Sequence, residues 1–151
     1  MKDFQSLLFL CTGNFYRSRL AEACFNHLTA EKGIAWRATS RGFRPHLATE
    51  DLSHLAVGRL DDIAVPISGT GPKPLKLQKS DLAGASLVTA LCEPEHRPMI
   101  VKQFPRWEGR VRYWQIPDID IESSIVALPK IEAEIDPLVR HFERGHVPRT
   151  L

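Results

Sequence analysis

Four short strand-like runs that alternate with helix-forming segments constrain the fold of this chain more than any other feature. The runs cover residues 7–11, 34–39, 87–92 and 111–116. The first run (LLFLC) is apolar throughout, which is typical of a strand buried on both faces of a parallel sheet. Strands that alternate with helices predict an α/β fold, a three-layer α/β/α arrangement around a four-stranded parallel sheet. Such folds bind ligands beyond the carboxyl ends of their strands.

The spacing of apolar residues predicts helices over residues 20–28, from about 49 or 51 to 60, over 95–104 and over 125–142. We expect Pro98 in the first turn of the third helix. Pro129 and Pro137 are expected to split or kink the last helix. Residues 66–74 are dense in proline and glycine and are predicted to form a loop.

The composition favours one domain over residues 1–151. A chain of 151 residues with 43% hydrophobic and 25% charged residues can bury a core without disulfides. Three cysteines, an odd number in a chain that needs no disulfides, favour a reducing compartment. The N-terminal apolar run is too short for a signal peptide. No run approaches the roughly 20 apolar residues of a membrane span. We predict a cytoplasmic protein with no membrane partner and, at a net charge of +2, no nucleic-acid partner.

The segment after the first strand combines a cysteine with an anion-binding loop. Cys11 ends the strand, Arg17 follows six positions later, and Ser18 stands at the start of a helix. The N-terminus of a helix offers free N–H groups and partial positive charge, and Gly13 and Asn14 tolerate the backbone angles that turn N–H groups inward. Arginine binds phosphate through two parallel hydrogen bonds, and the same positive field stabilises a thiolate. This pattern predicts nucleophilic attack by Cys11 on phosphorus.

The sequence CTGNFYRSRLAEACF resembles the phosphate-binding loop and first helix of the low-molecular-weight protein tyrosine phosphatases. The family pattern is Cys-x-Gly-Asn-x-Cys-Arg-Ser-Pro, followed by Ala-Glu-Ala-x-Phe. Weaker similarity continues at residues 39–42 (TSRG) and 113–118 (YWQIPD). The matching residues in the first segment are Cys11, Gly13, Asn14, Arg17, Ser18, Ala21, Glu22, Ala23 and Phe25.

The resemblance implies a metal-independent phosphatase that needs no cofactor and acts on a phosphotyrosine protein or a small aryl phosphate. It implies that Cys11 forms a phosphocysteine, that Asp118 is the general acid, and that Ser40 supports the loop through Asn14. An aspartate after the fourth strand also lies at the sheet edge where such an acid is needed. The phosphate-binding set is Thr12, Gly13, Asn14, Phe15, Tyr16, Arg17 and Ser18, with Asn14, Ser18 and Ser40 as loop support.

Several departures from the family pattern leave alternatives open. Tyr16 replaces the second cysteine of the loop, and Phe15 and Tyr16 either face a substrate ring or pack beneath the loop. Arg19 replaces the proline after the serine. Ile119 replaces the proline after Asp118, which leaves Asp120 as a rival general acid.

The other cysteines suggest one alternative function. Cys92 ends the third strand, in a segment similar to the thioredoxin-coupled arsenate reductases, but no further cysteine follows it to complete their relay. A reductase would therefore use an external thiol or Cys92 alone. A phosphate-binding module without catalysis is a further alternative. Cys24 is expected in the core, and the histidines, including His146, have no metal-ligand spacing, so we predict no metal.

Overall fold

A parallel four-stranded sheet forms the centre of the computed structural model, which describes residues 3–145. The strand order is β2-β1-β3-β4, and every neighbouring pair is parallel. Each connection between strands contains a helix, which is the usual crossover between parallel strands. The strands are β1 (Gln5–Cys11), β2 (Trp36–Gly42), β3 (Leu87–Ala90) and β4 (Val111–Tyr113).

Helices cover both faces of the sheet and confirm the predicted three-layer α/β/α fold. On one face lie α1, α2 and α5, which contact one another, and on the other lie α3 and α4. Within residues 3–145, no helix is long and apolar enough to cross a membrane. The helices are α1 (Arg17–Lys32), α2 (His54–Asp62), α3 (Lys79–Gly84), α4 (Glu93–Gln103) and α5 (Ser124–Glu143).

The central strand β1 supplies both hydrophobic cores, which explains why its sequence is apolar throughout. Leu7, Phe9 and Cys11 point into the core beneath α1 and α5, whereas Leu8 and Leu10 point into the core beneath α3 and α4. Successive side chains of a strand point to opposite faces, so a strand between two helical layers needs apolar residues at every position.

The strand boundaries differ from the predicted ones because pairing depends on neighbouring strands. β2 continues to Gly42, beyond the predicted 34–39, because it pairs with β1 along its whole length and Gly42 lies opposite Cys11. β3 and β4 are shorter than predicted, and beyond them Cys92 and Gln115 form an isolated antiparallel bridge.

The helix predictions were wrong at several ends. α2 begins at His54, where the Ser53 hydroxyl accepts a hydrogen bond from the Leu55 N–H at 3.2 Å and caps the helix. Pro98 lies inside α4, and Pro94 instead occupies its first turn, where a missing N–H costs nothing. α5 is one helix that includes both prolines, so it is not split. The short helix α3 was not predicted.

Candidate active site

The predicted phosphate-binding loop joins the central strand β1 to the first turn of α1. Cys11 is the last residue of β1 and is 2% exposed, and Arg17 is the first residue of α1 and is 1% exposed. From β1 the chain continues to β2 on one side, whereas β3 lies on the other side. The loop therefore stands at the point where the strand order reverses, which is where open α/β sheets bind their ligands.

The Cys11 thiol lies among groups that stabilise a thiolate. Its Sγ atom is 2.9 Å from Ser18 Oγ and accepts a hydrogen bond from the Asn14 N–H at 3.3 Å. Ser18 Oγ also accepts a hydrogen bond from Asn14 Nδ2 at 2.9 Å, which leaves the Ser18 proton free to point at the sulfur. The first turn of α1 adds its partial positive charge. The arrangement suits a cysteine nucleophile.

Asn14 holds the shape of the loop. It adopts a left-handed conformation (φ 55°), which asparagine tolerates better than most residues. Its Nδ2 atom also donates to Ser40 Oγ at 3.0 Å, and its Oδ1 atom accepts from the Leu75 N–H at 2.9 Å. The structure thus brings together the three residues expected to support the loop, Asn14, Ser18 and Ser40.

Behind Ser40, a buried network connects the loop to the proline- and glycine-rich segment 66–74. Ser40 Oγ donates to Glu22 Oε1 at 2.6 Å, and Thr70 Oγ1 donates to the same oxygen at 2.7 Å. Burial raises the pKa of Glu22, and these two hydrogen bonds partly oppose that shift. The sequence indicated no role for Thr70, because its contact with Glu22 spans 48 positions.

Gly42 at the end of β2 allows the backbone to pass close to the loop. A Cβ atom at Gly42 would lie 2.8 Å from both Asn14 Cβ and the Thr12 carbonyl oxygen. Nonbonded atoms do not approach this closely, so any side chain here would displace the loop. The Ser-Arg-Gly sequence at 40–42 therefore supplies both a hydrogen-bond partner and the space that the loop needs.

Arg17 is fixed by its neighbours but keeps one N–H group without a partner. Its Nη1 atom donates to Glu95 Oε1 at 3.0 Å and to the Ile116 carbonyl at 2.9 Å, and Nη2 donates to Glu95 Oε2 at 2.7 Å. Within residues 3–145, the buried Nε atom has no hydrogen-bond partner. A buried N–H without a partner is costly, so this N–H group is suited to an anion.

Glu95 on α4 is the site residue that sequence reasoning missed. Besides Arg17, its carboxylate accepts a hydrogen bond from the Thr12 hydroxyl and lies 3.1 Å from His96 Nε2. Burial alone would raise the pKa of Glu95, but the hydrogen bonds from His96 and Arg17 outweigh it and hold that pKa well below its usual range. Glu95 is therefore ionised. The only sequence signal was the Glu-Pro-Glu-His segment after β3.

His96 connects Glu95 and Thr12 to the end of β3. The side chain is fully buried, and its Nδ1 atom accepts a hydrogen bond from the Cys92 N–H at 3.0 Å. Nδ1 is therefore unprotonated, and Nε2 carries the hydrogen that faces Glu95 and Thr12. Burial lowers the pKa of His96, which agrees with a neutral ring.

Glu95→Gln is expected to lower kcat/KM for an aryl phosphate about 10- to 100-fold, because small displacements of a positioned group are costly. The glutamine side chain keeps the shape of glutamate but loses the charge that orients Arg17. Glu93→Gln is the matched control, since Glu93 lies on the same helix and pairs with the partly exposed Arg97. Equal kinetic effects of the two substitutions would mean that Glu95 does not orient Arg17.

Asp118 contacts Arg17 from the segment after β4. Its Oδ2 atom lies 3.3 Å from Arg17 Nη2, its Oδ1 atom accepts from the Ile119 N–H at 2.9 Å, and the side chain is 37% exposed. Asp120 is exposed and, within residues 3–145, has no ion pair or hydrogen bond from its side chain. Both aspartates line a cavity of about 530 Å³ together with Thr12 and Glu95. Asp118 is thus the aspartate in contact with the arginine.

The two aromatic residues of the loop have different surroundings. Tyr16 is buried in the core beneath α1 and α5, and burial and then the charge of Asp118 raise the pKa of its hydroxyl to about 12. Phe15 is half-buried at the edge of the same core. Tyr16 therefore packs beneath the loop, and Phe15 is the aromatic residue left at its rim.

The remaining cysteines are free thiols in different environments. Cys24 is buried in the core, and burial raises its pKa to about 12. Cys92 lines the cavity beside Asp118, and burial raises its pKa as well. In the part of the chain covering residues 3–145, no group of three or more His, Cys, Asp and Glu side chains could hold a metal ion, and His146 lies outside that range.

The chain belongs to the low molecular weight phosphotyrosine protein phosphatase family, whose sequence model matches residues 6–134. No curated protein sequence matches the chain. The match includes the Cys11 loop and Asp118. Membership of this family supports a cysteine-based phosphatase.

Solved structures share the fold over nearly the whole chain. A low molecular weight protein tyrosine phosphatase from T. tengcongensis is 25% identical, with a TM-score of 0.75 over 90% of this chain and 98% of that one. YfkJ from Bacillus subtilis is 18% identical, with a TM-score of 0.82 over 95% and 97% of the two chains. The YwlE arginine phosphatase from Geobacillus stearothermophilus is 24% identical, with a TM-score of 0.74 over 93% and 94%. The likeness to the last two shows the common fold.

Proposed function

We propose that the protein hydrolyses phosphate monoesters, with phosphotyrosine as the substrate class, through a phosphocysteine on Cys11. The observation that carries the proposal is the unpartnered Nε–H of Arg17 next to the loop that holds Cys11. A phosphate bound there would satisfy the buried Nε–H and accept hydrogen bonds from backbone N–H groups of residues 12–17. The phosphorus atom would then face the cysteine thiolate.

The proposed reaction has two steps, phosphorylation of Cys11 and hydrolysis of the phosphocysteine. In the first, Cys11 Sγ attacks phosphorus, the bond between phosphorus and the leaving oxygen breaks, and protonated Asp118 gives its proton to that oxygen. In the second, the Asp118 carboxylate takes a proton from water, the water oxygen attacks phosphorus, and the S–P bond breaks. Phosphate leaves, and the thiolate and protonated Asp118 are restored. Arg17 and the loop N–H groups supply the positive charge that the phosphoryl group needs.

The burial of the site favours an aryl phosphate, in which an aromatic ring separates the phosphate from the rest of the substrate. Cys11 and Arg17 are almost fully buried, so the phosphorus atom must enter a recess. The phenyl ring of phosphotyrosine spans such a recess, and half-buried Phe15 lies at the loop rim where a ring can stack. We also propose a cytoplasmic location, because a nucleophilic thiol must stay reduced and all three cysteines are free.

A second candidate substrate is phosphoarginine, and the acidic cavity favours it. Asp118, Asp120 and Glu95 line the cavity, and among the described residues its lining includes no lysine or arginine. Carboxylates there would attract a guanidinium leaving group. The YwlE arginine phosphatase shares this fold.

Two other functions have weaker support. An arsenate reductase that used Cys92 as its second thiol would need that thiol as a thiolate, but burial raises the pKa of Cys92. A phosphate-binding module without catalysis would not need an acid within 3.3 Å of Arg17.

The test compares kcat/KM of the wild type on a phosphotyrosine peptide and a phosphoarginine peptide of matched sequence, and measures arsenate-dependent oxidation of an added thiol. We expect the highest kcat/KM on the phosphotyrosine peptide. Faster turnover of phosphoarginine would support the second candidate. Thiol oxidation without phosphatase turnover, or binding of inorganic phosphate without any turnover, would overturn the proposal.

A further inference from the structure

Arg19 is a buried cation next to the phosphate-binding loop that the two-step reaction does not use. It is the third residue of α1, and its side chain is 1% exposed. The family pattern has a proline at this position, and a proline cannot form any of the hydrogen bonds of an arginine side chain. The role of Arg19 therefore depends on contacts that are specific to this chain.

The guanidinium of Arg19 joins three segments around the loop. Its Nη1 atom donates to the Asn14 carbonyl at 3.2 Å and to the Asp51 carbonyl at 3.0 Å. Its Nε atom donates to Thr70 Oγ1 at 2.6 Å, and Nη2 donates to the Gly71 carbonyl. One side chain thus contacts the phosphate-binding loop, the segment before α2 and segment 66–74.

The hydrogen-bond partners of Arg19 within residues 3–145 are neutral groups, so its charge has no directly bound carboxylate. Burial of a cation without a bound anion costs free energy. Burial is the main cause that lowers the pKa of Arg19, and the charges of Glu22, Cys11 and Asp51 oppose that shift. An arginine stays protonated despite such a shift. The positive charge therefore acts on Glu22, which it reaches through Thr70, and on Cys11 in the neighbouring loop.

Asn14 connects Arg19 to the nucleophile. Arg19 holds the carbonyl of Asn14, and the Asn14 N–H points at Cys11 Sγ from 3.3 Å. Asn14 is also the residue of the loop in the left-handed conformation, so its orientation depends on such supports. Loss of the Arg19 contact would let this N–H turn away from the sulfur.

We propose that Arg19 is a positioning residue of the phosphate site, which holds Asn14 against Cys11 and supplies a second buried positive charge for the thiolate and the bound phosphate. The proposal rests on the proposed function in that it takes Cys11 as the nucleophile. It also assigns a role to segment 66–74, which holds the far side of the Arg19 guanidinium through Thr70 and Gly71.

Other charged groups near Cys11 must remain unchanged for the test to be clear. Arg17 on α1 provides the first positive charge, and Asp118 after β4 and Glu95 on α4 provide negative charge near it. Further titratable groups around the loop are Glu22 on α1, neutral His96 on α4, Tyr16, Asp51 and Cys92. Variants at position 19 leave all of these residues in place.

The test measures Arg19→Met in two assays that need no turnover. The first is the pH profile of iodoacetamide alkylation, followed on the Cys11 peptide by mass spectrometry. We expect its midpoint to rise by about 0.5–1 pH unit, because one buried positive charge is lost. The second is binding of inorganic phosphate by calorimetry, in which we expect a Kd about tenfold higher. A failure of the proposed function would show as absent turnover of the wild type and would leave both measurements interpretable.

Two further variants control for charge and for fold. Arg59→Met also removes one cation, but Arg59 pairs with Glu132 away from the loop, so both readouts should match the wild type. Arg19→Lys keeps the charge and loses the planar fork, so we expect a midpoint close to that of the wild type with kcat/KM about tenfold lower. If Arg19→Met does not fold, Arg19→Lys alone tests whether Arg19 positions the phosphate site. An unchanged alkylation midpoint and phosphate Kd in folded Arg19→Met, or wild-type kcat/KM in Arg19→Lys, would overturn the proposal.

Discussion

Cys11→Ser is expected to abolish hydrolysis of an aryl phosphate, with kcat lower by at least about 10⁴-fold. A serine hydroxyl is far less acidic than a thiol and would remain protonated among the same neighbours. The neighbouring Ser18 hydroxyl does not offer a nucleophile in its place, because its Oγ atom accepts a hydrogen bond from Asn14 and is itself hydrogen-bonded to position 11. The measurement is the steady-state rate of phenolate release.

The control for this substitution is Cys92→Ser, which changes the other cysteine at the same sheet edge. We expect Cys92→Ser to keep phosphatase activity near that of the wild type. Cys11→Ser should still bind inorganic phosphate, because Arg17 and the backbone N–H groups are unchanged. Appreciable turnover in Cys11→Ser, or loss of turnover in Cys92→Ser, would contradict the assignment of the nucleophile.

Asp118→Asn is expected to lower kcat about 10²- to 10⁴-fold, the usual contribution of general acid–base catalysis. Asparagine keeps the shape of the side chain beside Arg17 but has no acidic proton to transfer to the leaving oxygen. The loss should be larger for phenyl phosphate than for nitrophenyl phosphate, since nitrophenolate leaves without help from an acid. A series of phenols with different acidities measures this dependence.

Asp120→Asn is the matched control, because Asp120 lines the same cavity and, unlike Asp118, makes no ion pair with Arg17. We expect its kcat within about threefold of the wild type, as for an exposed group outside the reaction. If Asp120→Asn were the more damaging substitution, Asp120 would be the general acid and the role given to Asp118 would be wrong.

The sequence predicted those parts of the site that local structure determines. Cys11 and Arg17 lie at the two ends of one strand-to-helix connection, so their spacing and the glycine between them already indicate an anion-binding loop. The four-stranded parallel sheet was predicted for a similar reason, because continuous apolar runs such as that of β1 occur where both faces of a strand are covered.

The parts that were missed depend on contacts between distant segments. Glu95 lies 78 positions from Arg17, and Thr70 lies 51 positions from Arg19. The periodicity of apolar residues does not indicate which carboxylate will contact which arginine in the folded chain. The same reason applies to helix ends, since α5 continues through Pro129 and Pro137 because its buried face packs against α1.

The proposed phosphocysteine on Cys11 can be tested directly. The wild type would be mixed rapidly with nitrophenyl phosphate and quenched in acid, and its peptides would be analysed by mass spectrometry under conditions that preserve S–P bonds. With Cys11 as the nucleophile, we expect a burst of nitrophenolate close to one equivalent and one added phosphoryl group on the peptide that contains Cys11. A phosphoryl group on any other residue, or rapid turnover in which Cys11 is never phosphorylated, would contradict the phosphocysteine mechanism.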